Sequence, residues 1–254
     1  MIKNNLEMSE YRALPGLSKH ELDAFAVAPA LYKHKKAKEW KPSRSMEIGT
    51  AIHELVLEGK RTFVAGPAVD KRTKAGKEEW QAFCEEHIGK LIVTDEEERC
   101  ILNASEAASN LMGKFVSDYD VELSMFWERD GVECKGRPDL IGKINGELSI
   151  MDLKTTSGIQ QFDSKFFSFR YDVQAAWYQY GLIQASKDKV KPAFWFLVVD
   201  TEEPYLAQMI CASEELLEDA NSKIELDLAY FKRCQDADVW PGLPEQRLMM
   251  ARSW

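Results

Sequence analysis

Residues 136–156 read GRPDLIGKINGELSIMDLKTT, and this stretch decides the fold. Asn145-Gly146 is a two-residue turn signal, because a type I′ turn needs positive φ at both central positions. A strand precedes it and another follows it. In the following strand, Leu148–Lys154, residues Leu148, Ile150, Asp152 and Lys154 share one face by the period of two. Pro138 cannot donate to a strand ladder, which puts Asp139 at a strand edge or bulge, aimed into a cleft. Asp152 opens the polar end of its strand after Leu148, Ile150 and Met151. Two carboxylates at neighbouring strand ends can hold a hard cation through oxygen, so Mg²⁺ is expected, with Mn²⁺ able to substitute. Without a cation such a pair would repel. The backbone carbonyl of Leu153 is a further candidate ligand. Lys154 can orient an attacking water or stabilise charge developing on a phosphate. In a chain that is 30% charged, an isolated Asp-x-Lys would read as surface charge at a strand end. The Pro-Asp on the preceding strand lifts this one above that reading.

Working outward, three further positions can join this centre. His53 lies in GTAIHELVLEG, on an expected helix whose Gly49 and Ala51 are small enough to let it approach a sheet. An imidazole fits beside two Asp at a metal site, although a lone helical His is more often a packed residue. Gln174 and Tyr178 are four apart and share a helix face. They can bind phosphate oxygens or hold the lysine, unless Tyr178 is simply core. Glu122 is an outer candidate, acting on a metal through water.

Capping boxes punctuate the chain at Ser18–Glu21 and Thr94–Glu97. The first opens a helix carrying Leu22, Phe25 and Ala26, broken or kinked at Pro29. Helices are expected over 45–58 and 78–87 with an irregular stretch at 59–77, and a long one from Thr94 to about Val116. Strands follow at Val121–Glu128, Val132–Leu140 (extended through Ile141–Ile144) and Leu148–Lys154, with a turn at Arg129–Gly131. A helix over Tyr171–Ala185, strands Ala193–Asp200 and Tyr205–Cys211, and a closing helix Ser213–Cys234 complete the order. From the long helix onward this is αβββαβ, a mixed α/β class with a central sheet between helices. No repeat, low-complexity run or Gly/Ser linker divides it. One domain is expected: an N-terminal helical part (1–93, with His53), the core (94–236) and a tail (237–254).

Composition agrees with a folded chain. The 254 residues are 45% hydrophobic and 11% aromatic, enough to bury a sizeable core. No run approaches the roughly 20 apolar residues of a membrane span, and the N-terminus lacks a signal peptide's apolar core. Five scattered cysteines read as reduced thiols in a cytoplasmic protein. A net charge of −9 argues against a general nucleic-acid coat but not against a localised track. Lys33, Lys35, Lys36, Lys38, Lys41 and Arg44 form one basic cluster; Lys71, Arg72, Lys74 and Lys77 form another. Each is either a solvated face or a grip on phosphates, to which Arg137 would add.

Taken together, these stretches resemble the PD-(D/E)xK nucleases, and more narrowly the exonuclease VIII (RecE-type) family of phages and prophages. The likeness runs through GTAIHELVLE (49–58), DKRTKAGKEEW (70–80), Glu122–Trp127, GRPDL (136–140), DLKTT (152–156) and YDVQAAWY (171–178), with Leu243-Pro244 and Trp254 in the tail. The ordered combination carries it, not any single motif. The resemblance implies a restriction-endonuclease-like core and Mg²⁺-dependent, ATP-independent 5′→3′ degradation of duplex DNA from its ends in a bacterial cytoplasm. It implies His53, Asp139 and Asp152 as metal ligands, Lys154 as the catalytic lysine, and Gln174 and Tyr178 as the Gln-x-x-x-Tyr helix motif. It further implies a homo-oligomeric ring (a trimer or tetramer) and a single-strand annealing partner that receives the 3′ tail. Related nucleases bind an iron–sulfur cluster through four Cys. Here no CxxC exists, so no cluster is expected.

Two other readings stay open. The same core could serve an endonuclease or repair nuclease, or a recombination accessory protein that binds DNA around an inactive site. In an unrelated acidic α/β domain, Asp139 and Asp152 would lie far apart.

Overall fold

The computed structural model describes residues 1–254 except 5, 39–40, 187–188 and 247–254; Trp254 therefore lies outside the described residues. In chain order the elements are β1 (Ile2–Lys3), α1 (Met8–Ala13), α2 (Lys19–Val27), α3 (Pro29–Ala37), α4 (Arg44–Glu58), β2 (Phe63–Ala65), α5 (Lys74–Glu86), β3 (Leu91–Val93) and α6 (Asp95–Phe115). Then come β4 (Val116–Val121), β5 (Ser124–Arg129), β6 (Val132–Gly136), β7 (Leu140–Ile144), β8 (Glu147–Thr156), α7 (Phe162–Ser168), α8 (Tyr171–Ala185), β9 (Ala193–Asp200), β10 (Ala207–Cys211) and α9 (Glu214–Ala237).

A five-stranded sheet, ordered β10-β9-β8-β7-β4, is the frame. Only β8 and β9 run parallel; the other pairs are antiparallel. This follows from the connections. Asn145 and Gly146 both take positive φ, 54° and 85°, and close the tight β7–β8 hairpin. The β8–β9 connection carries α7 and α8, the long crossover a parallel pair needs.

Side-chain alternation gives each face of the sheet its own core. Ile150, Phe194, Phe196 and Val198 pack with Val173, Ala176 and Trp177 of α8 and with Ile224 and Leu228 of α9. Met151, Leu153, Leu197 and Val199 pack instead with Ile52 of α4 and with Ile101, Ala104 and Ala108 of α6. The sheet is thus a mixed one flanked by helices.

Both expected capping boxes form, at Ser18 and Thr94. Pro29 separates two helices by occupying the first turn of α3, where its missing N–H costs nothing. Three expectations change. The strand expected over Val132–Leu140 and on to Ile144 is two strands in different sheets. β6 pairs with β5, which pairs with β1, whereas β7 joins the main sheet. Pro138 lies in the break, where it cannot continue a ladder. Secondly, the first core strand is β4, part of which was expected to end the long helix, and not Val121–Glu128. The β5–β6 hairpin is inserted between β4 and β7, so α6-β4-β7-β8-α8-β9 is the αβββαβ order. Thirdly, the first 93 residues are not only helical: β2 and β3 form a parallel pair, and the expected irregular stretch contains β2.

Candidate active site

The strand registers converge on one end of the main sheet. Val121 pairs with Leu140, and Leu140 with Met151. One residue further along each register stand Glu122, Asp139 and Asp152, abreast across three strands. The Glu122 N–H donates to the Asp139 carbonyl at 3.0 Å. The two aspartates are therefore neighbours, against the reading of an unrelated domain. Burial pushes the Asp139 carboxyl well above the usual range, and the adjacent Asp152 charge pushes it further. Burial also raises Glu122, against the pull of Arg137.

Asp152 is 3% exposed. Its Oδ1 accepts from Gln174 Nε2 at 2.6 Å, and its Oδ2 is ion-paired with Lys154 Nζ at 2.5 Å. Lys154 is thus the one charged partner of the buried Oδ2 among the described residues. Lys154 Nζ also lies 4.5 Å from the centre of the Tyr171 ring. Burial opposes the lysine's charge, but Asp152, Tyr171 and Asp139 outweigh it and raise its pKa. Lys154 is a held cation, not a base.

Asp139 Oδ2 accepts the Leu153 N–H at 2.7 Å and lies 3.4 Å from His53 Nδ1. His53 reaches this point from α4. A Cβ on Gly49 would meet Thr155 Oγ1 at 3.2 Å, so glycine lets the helix lie close to β8. Burial, helped by Lys154, pushes the His53 imidazole down to about 4, against Asp152 and the Leu153 backbone. It is neutral at pH 7 and has a lone pair to give.

Gln174 holds the aspartate rather than the lysine, which corrects one of the two roles expected for it. Tyr178 is 7% exposed, and burial next to Asp152 pushes its phenol well up. It packs on Gly136, where a Cβ would sit 2.9 Å from Tyr178 Cδ1. The GRPDL glycine thus makes space for the α8 tyrosine. Arg137 was expected to face DNA. Instead it is ion-paired with Glu122, donates to the Leu6 carbonyl at 2.6 Å and has a side chain only 12% exposed.

The basic clusters are partly engaged within the chain. Lys33 pairs with Asp238 at 3.7 Å and lies over Trp240. Lys36 pairs with Glu21 at 3.5 Å, and Arg44 with Glu97 at 2.5 Å. Lys71 stacks on Trp80, Arg72 pairs with Asp70, and Lys74 with Glu78. Lys35, Lys38, Lys41 and Lys77 are exposed.

Two residues at this end were not among the candidates. Tyr171 supports the lysine, and Lys19, 4% exposed, pairs with Asp23 at 2.7 Å while donating to the Phe169 carbonyl at 2.8 Å. Tyr171 had a signal, since it stands three residues before Gln174 on the same helix face. Lys19 had none, because its partner Phe169 is remote in sequence.

The donor set fits a hard divalent cation. It offers neighbouring carboxylates and a neutral imidazole. Among the described residues no three His, Cys, Asp or Glu converge tightly enough to enclose a metal as they stand. Asp152 is engaged by Gln174 and Lys154, and Glu122 by Arg137. Among the same residues no helix is long and apolar enough to cross a membrane.

Comparison with known proteins bears on the family and the fold. Residues 18–249 match the family model of the PDDEXK-like domain of unknown function (DUF3799). The chain belongs to that family, within the PD-(D/E)xK nuclease superfamily. A solved structure from Eubacterium rectale, provisionally named an exonuclease, shares the fold at TM-score 0.67 and 17% identity, over 99% of this chain and 97% of that one. Two other structures are weaker. SSO0001 gives a TM-score of 0.30 and 14% identity over 72% of this chain and 85% of that one. VC1899 of Vibrio cholerae gives 0.25 and 9% over 72% and 44%. At these scores neither bears on the argument. No curated protein matches.

Proposed function

We propose that this member of the PDDEXK-like family is a Mg²⁺-dependent exodeoxyribonuclease that degrades duplex DNA from its ends, 5′→3′ and without ATP. The 3′ single strand it leaves would pass to a strand-annealing partner in phage-type recombination. One observation carries the nuclease reading: a lysine ion-paired to the second of two neighbouring aspartates, at the end of a sheet that also receives a neutral histidine. The exonuclease polarity, the bacterial cytoplasmic setting, the annealing partner and a ring-shaped homo-oligomer rest on the resemblance to exonuclease VIII.

Asp139, Asp152, His53 and the Leu153 carbonyl would hold the ion, with Glu122 bound through water. When bound, Mg²⁺ lowers the pKa of water and neutralises charge on phosphate. The chain's own groups supply the rest. Lys154 keeps its proton and stands where charge develops on the scissile phosphate. Gln174 fixes the Asp152 carboxylate through Oδ1, and the Leu153 N–H fixes Asp139. Tyr171 limits the lysine's sweep, and Tyr178 closes the wall behind Gln174. Lys35, Lys38, Lys41 and Lys77 are among the exposed cations that would meet the duplex.

End-labelled duplexes with Mg²⁺ test this directly. Asp152→Ala and Lys154→Ala should each abolish nucleotide release while circular dichroism shows an intact fold. Undiminished release by folded, pure Asp152→Ala protein would refute the site. Cleavage of covalently closed circles would favour the endonuclease alternative. Intact DNA with wild-type protein under Mg²⁺ and Mn²⁺ would favour the inactive accessory protein.

A further inference from the structure

Four cations at the candidate end of the sheet each face a carboxylate. Lys154 pairs with Asp152 at 2.5 Å, Lys19 with Asp23 at 2.7 Å, Arg137 with Glu122 and Arg170 with Asp227 at 2.5 Å. Lys165 of α7 differs. It is half-buried, and among the described residues its ammonium has two partners, both neutral: Thr156 Oγ1 at 3.1 Å and the Ser157 carbonyl at 2.6 Å. An ammonium has three N–H groups, so one N–H and an unpaired charge are left. Lys135, also without an ion-paired carboxylate, shows the closed alternative. It is 6% exposed and directs its ammonium at three carbonyls, those of Tyr11, Arg12 and Leu14, at 3.2, 3.2 and 2.6 Å.

The acceptors of Lys165 are themselves fixed. Asp200, 6% exposed, accepts from the Gly158 and Ile159 N–H groups at 3.0 and 2.8 Å. That holds the turn after β8, and with it the Ser157 carbonyl. Gly158 permits the turn, at φ 75°. On the other side, Phe162 and Phe166 anchor α7 in the core. Thr156 ends β8 and is in step with Asp152 and Lys154 by the period of two. Lys165 therefore stands beside the next position after Lys154 on the same face of β8, about 7 Å along the strand.

A held ammonium with a free N–H and no carboxylate is a subsite for an anion from outside the chain. Its offset from Lys154 is of the order of one nucleotide step along a backbone. We propose that Lys165 binds the phosphate next to the scissile one, on the strand that enters the candidate site. This rests on the nuclease reading, which puts the scissile phosphate at Lys154. The binding can be measured without turnover.

The test uses a short duplex with EDTA present, and a series in which one linkage at a time, counted from either end, is a neutral methylphosphonate. Lys165→Gln removes the charge yet keeps an N–H for the Ser157 carbonyl; Lys165→Arg keeps the charge. Lys165→Gln should bind the unmodified duplex about fivefold more weakly at low salt and lower the salt slope by roughly 0.9, the value for one phosphate. Lys165→Arg should stay near wild type. Methylphosphonate at one linkage should weaken wild type by about the same factor and leave Lys165→Gln unaffected. A weaker Lys165→Gln with an unchanged salt slope would make the lysine a prop for the turn and overturn the subsite. So would a Lys165→Gln variant that responds to every linkage as wild type does.

A second arm, with Mg²⁺, separates this inference from the reading beneath it. Lys165→Gln should raise KM by more than it lowers kcat. The slope change and the linkage response, without hydrolysis by wild type, would keep the phosphate contact and sink the nuclease reading. Hydrolysis by wild type, with the same salt slope in Lys165→Gln, would do the reverse.

Discussion

Replacing Gln174 with Met tests whether α8 acts on the site through Asp152. Met keeps the length and helix propensity of Gln but has no N–H. The change removes the 2.6 Å hydrogen bond from Nε2 to Asp152 Oδ1, in a place where both residues are 3% exposed and water cannot readily replace it. A hydrogen bond to an ionised group contributes about 1.5–3 kcal/mol. Urea unfolding should therefore show a loss of about 2 kcal/mol with an unchanged slope. In an Asp152→Ala background the acceptor is gone, so the same substitution should cost almost nothing. The cycle should return a coupling of about 1.5–3 kcal/mol. In the active protein a loosened Asp152 should lower kcat, and a higher Mg²⁺ concentration should be needed for half-maximal rate. Equal costs in both backgrounds would refute the reasoning, and Gln174 would then be packing rather than positioning.

Gly136→Ala would place a Cβ 2.9 Å from Tyr178 Cδ1 and 3.1 Å from Trp127; overpacking of this kind costs about 1–3 kcal/mol, read as a lowered unfolding midpoint. His53 has a folded pKa of about 4 against 6.5 unfolded. The unfolded chain therefore takes the proton first as pH falls, so this contribution is complete above pH 6.5 and is lost towards pH 4. It is worth up to about 3 kcal/mol at 1.36 kcal/mol per unit, and His53→Gln should flatten the stability profile across that window. Lys35→Ala and Lys38→Ala should weaken duplex binding whatever its sequence and lower the salt slope by roughly 1 for each phosphate that is no longer neutralised. Unchanged slopes would remove α3 from the DNA track.

The parts legible in the sequence are those set by local chemistry. Asn145-Gly146 dictates its turn, Ser18 and Thr94 their helix starts, and the alternation from Leu148 to Lys154 its strand. Sheet membership is different, because it is decided by partners distant in sequence. Val116–Val121 (VSDYDV) is mostly exposed, as suits an edge strand, and therefore lacks the apolar run that would announce it. It pairs with β7, where a Cβ on Gly142 would lie 2.4 Å from Tyr119 Cβ. The β5–β6 hairpin has a strong strand pattern yet leaves the main sheet, because Trp127 packs over Trp177 at 5.3 Å and against Gly181. Only the tertiary fold could show that Arg137 faces Glu122 and that Lys19 lies under Phe169.

The position of the centre follows from the two-sided core. Along β8, Ile150 belongs to the α8 side, while Met151 and Leu153 belong to the α4 and α6 side. Asp152, in step with Ile150, meets Gln174 from α8. Thr155, in step with Leu153, meets Gly49 of α4, which brings His53 along the other face to the same strand end. Neither layer could assemble the donor set alone, since the carboxylate–lysine pair is fixed from one side and the imidazole arrives from the other. Asp139 links them: its carbonyl accepts from the Glu122 N–H along the strand register, while its carboxylate accepts from the Leu153 N–H and faces His53. Pro138, which has no N–H to continue a ladder, stands where β6 and β7 part to different sheets.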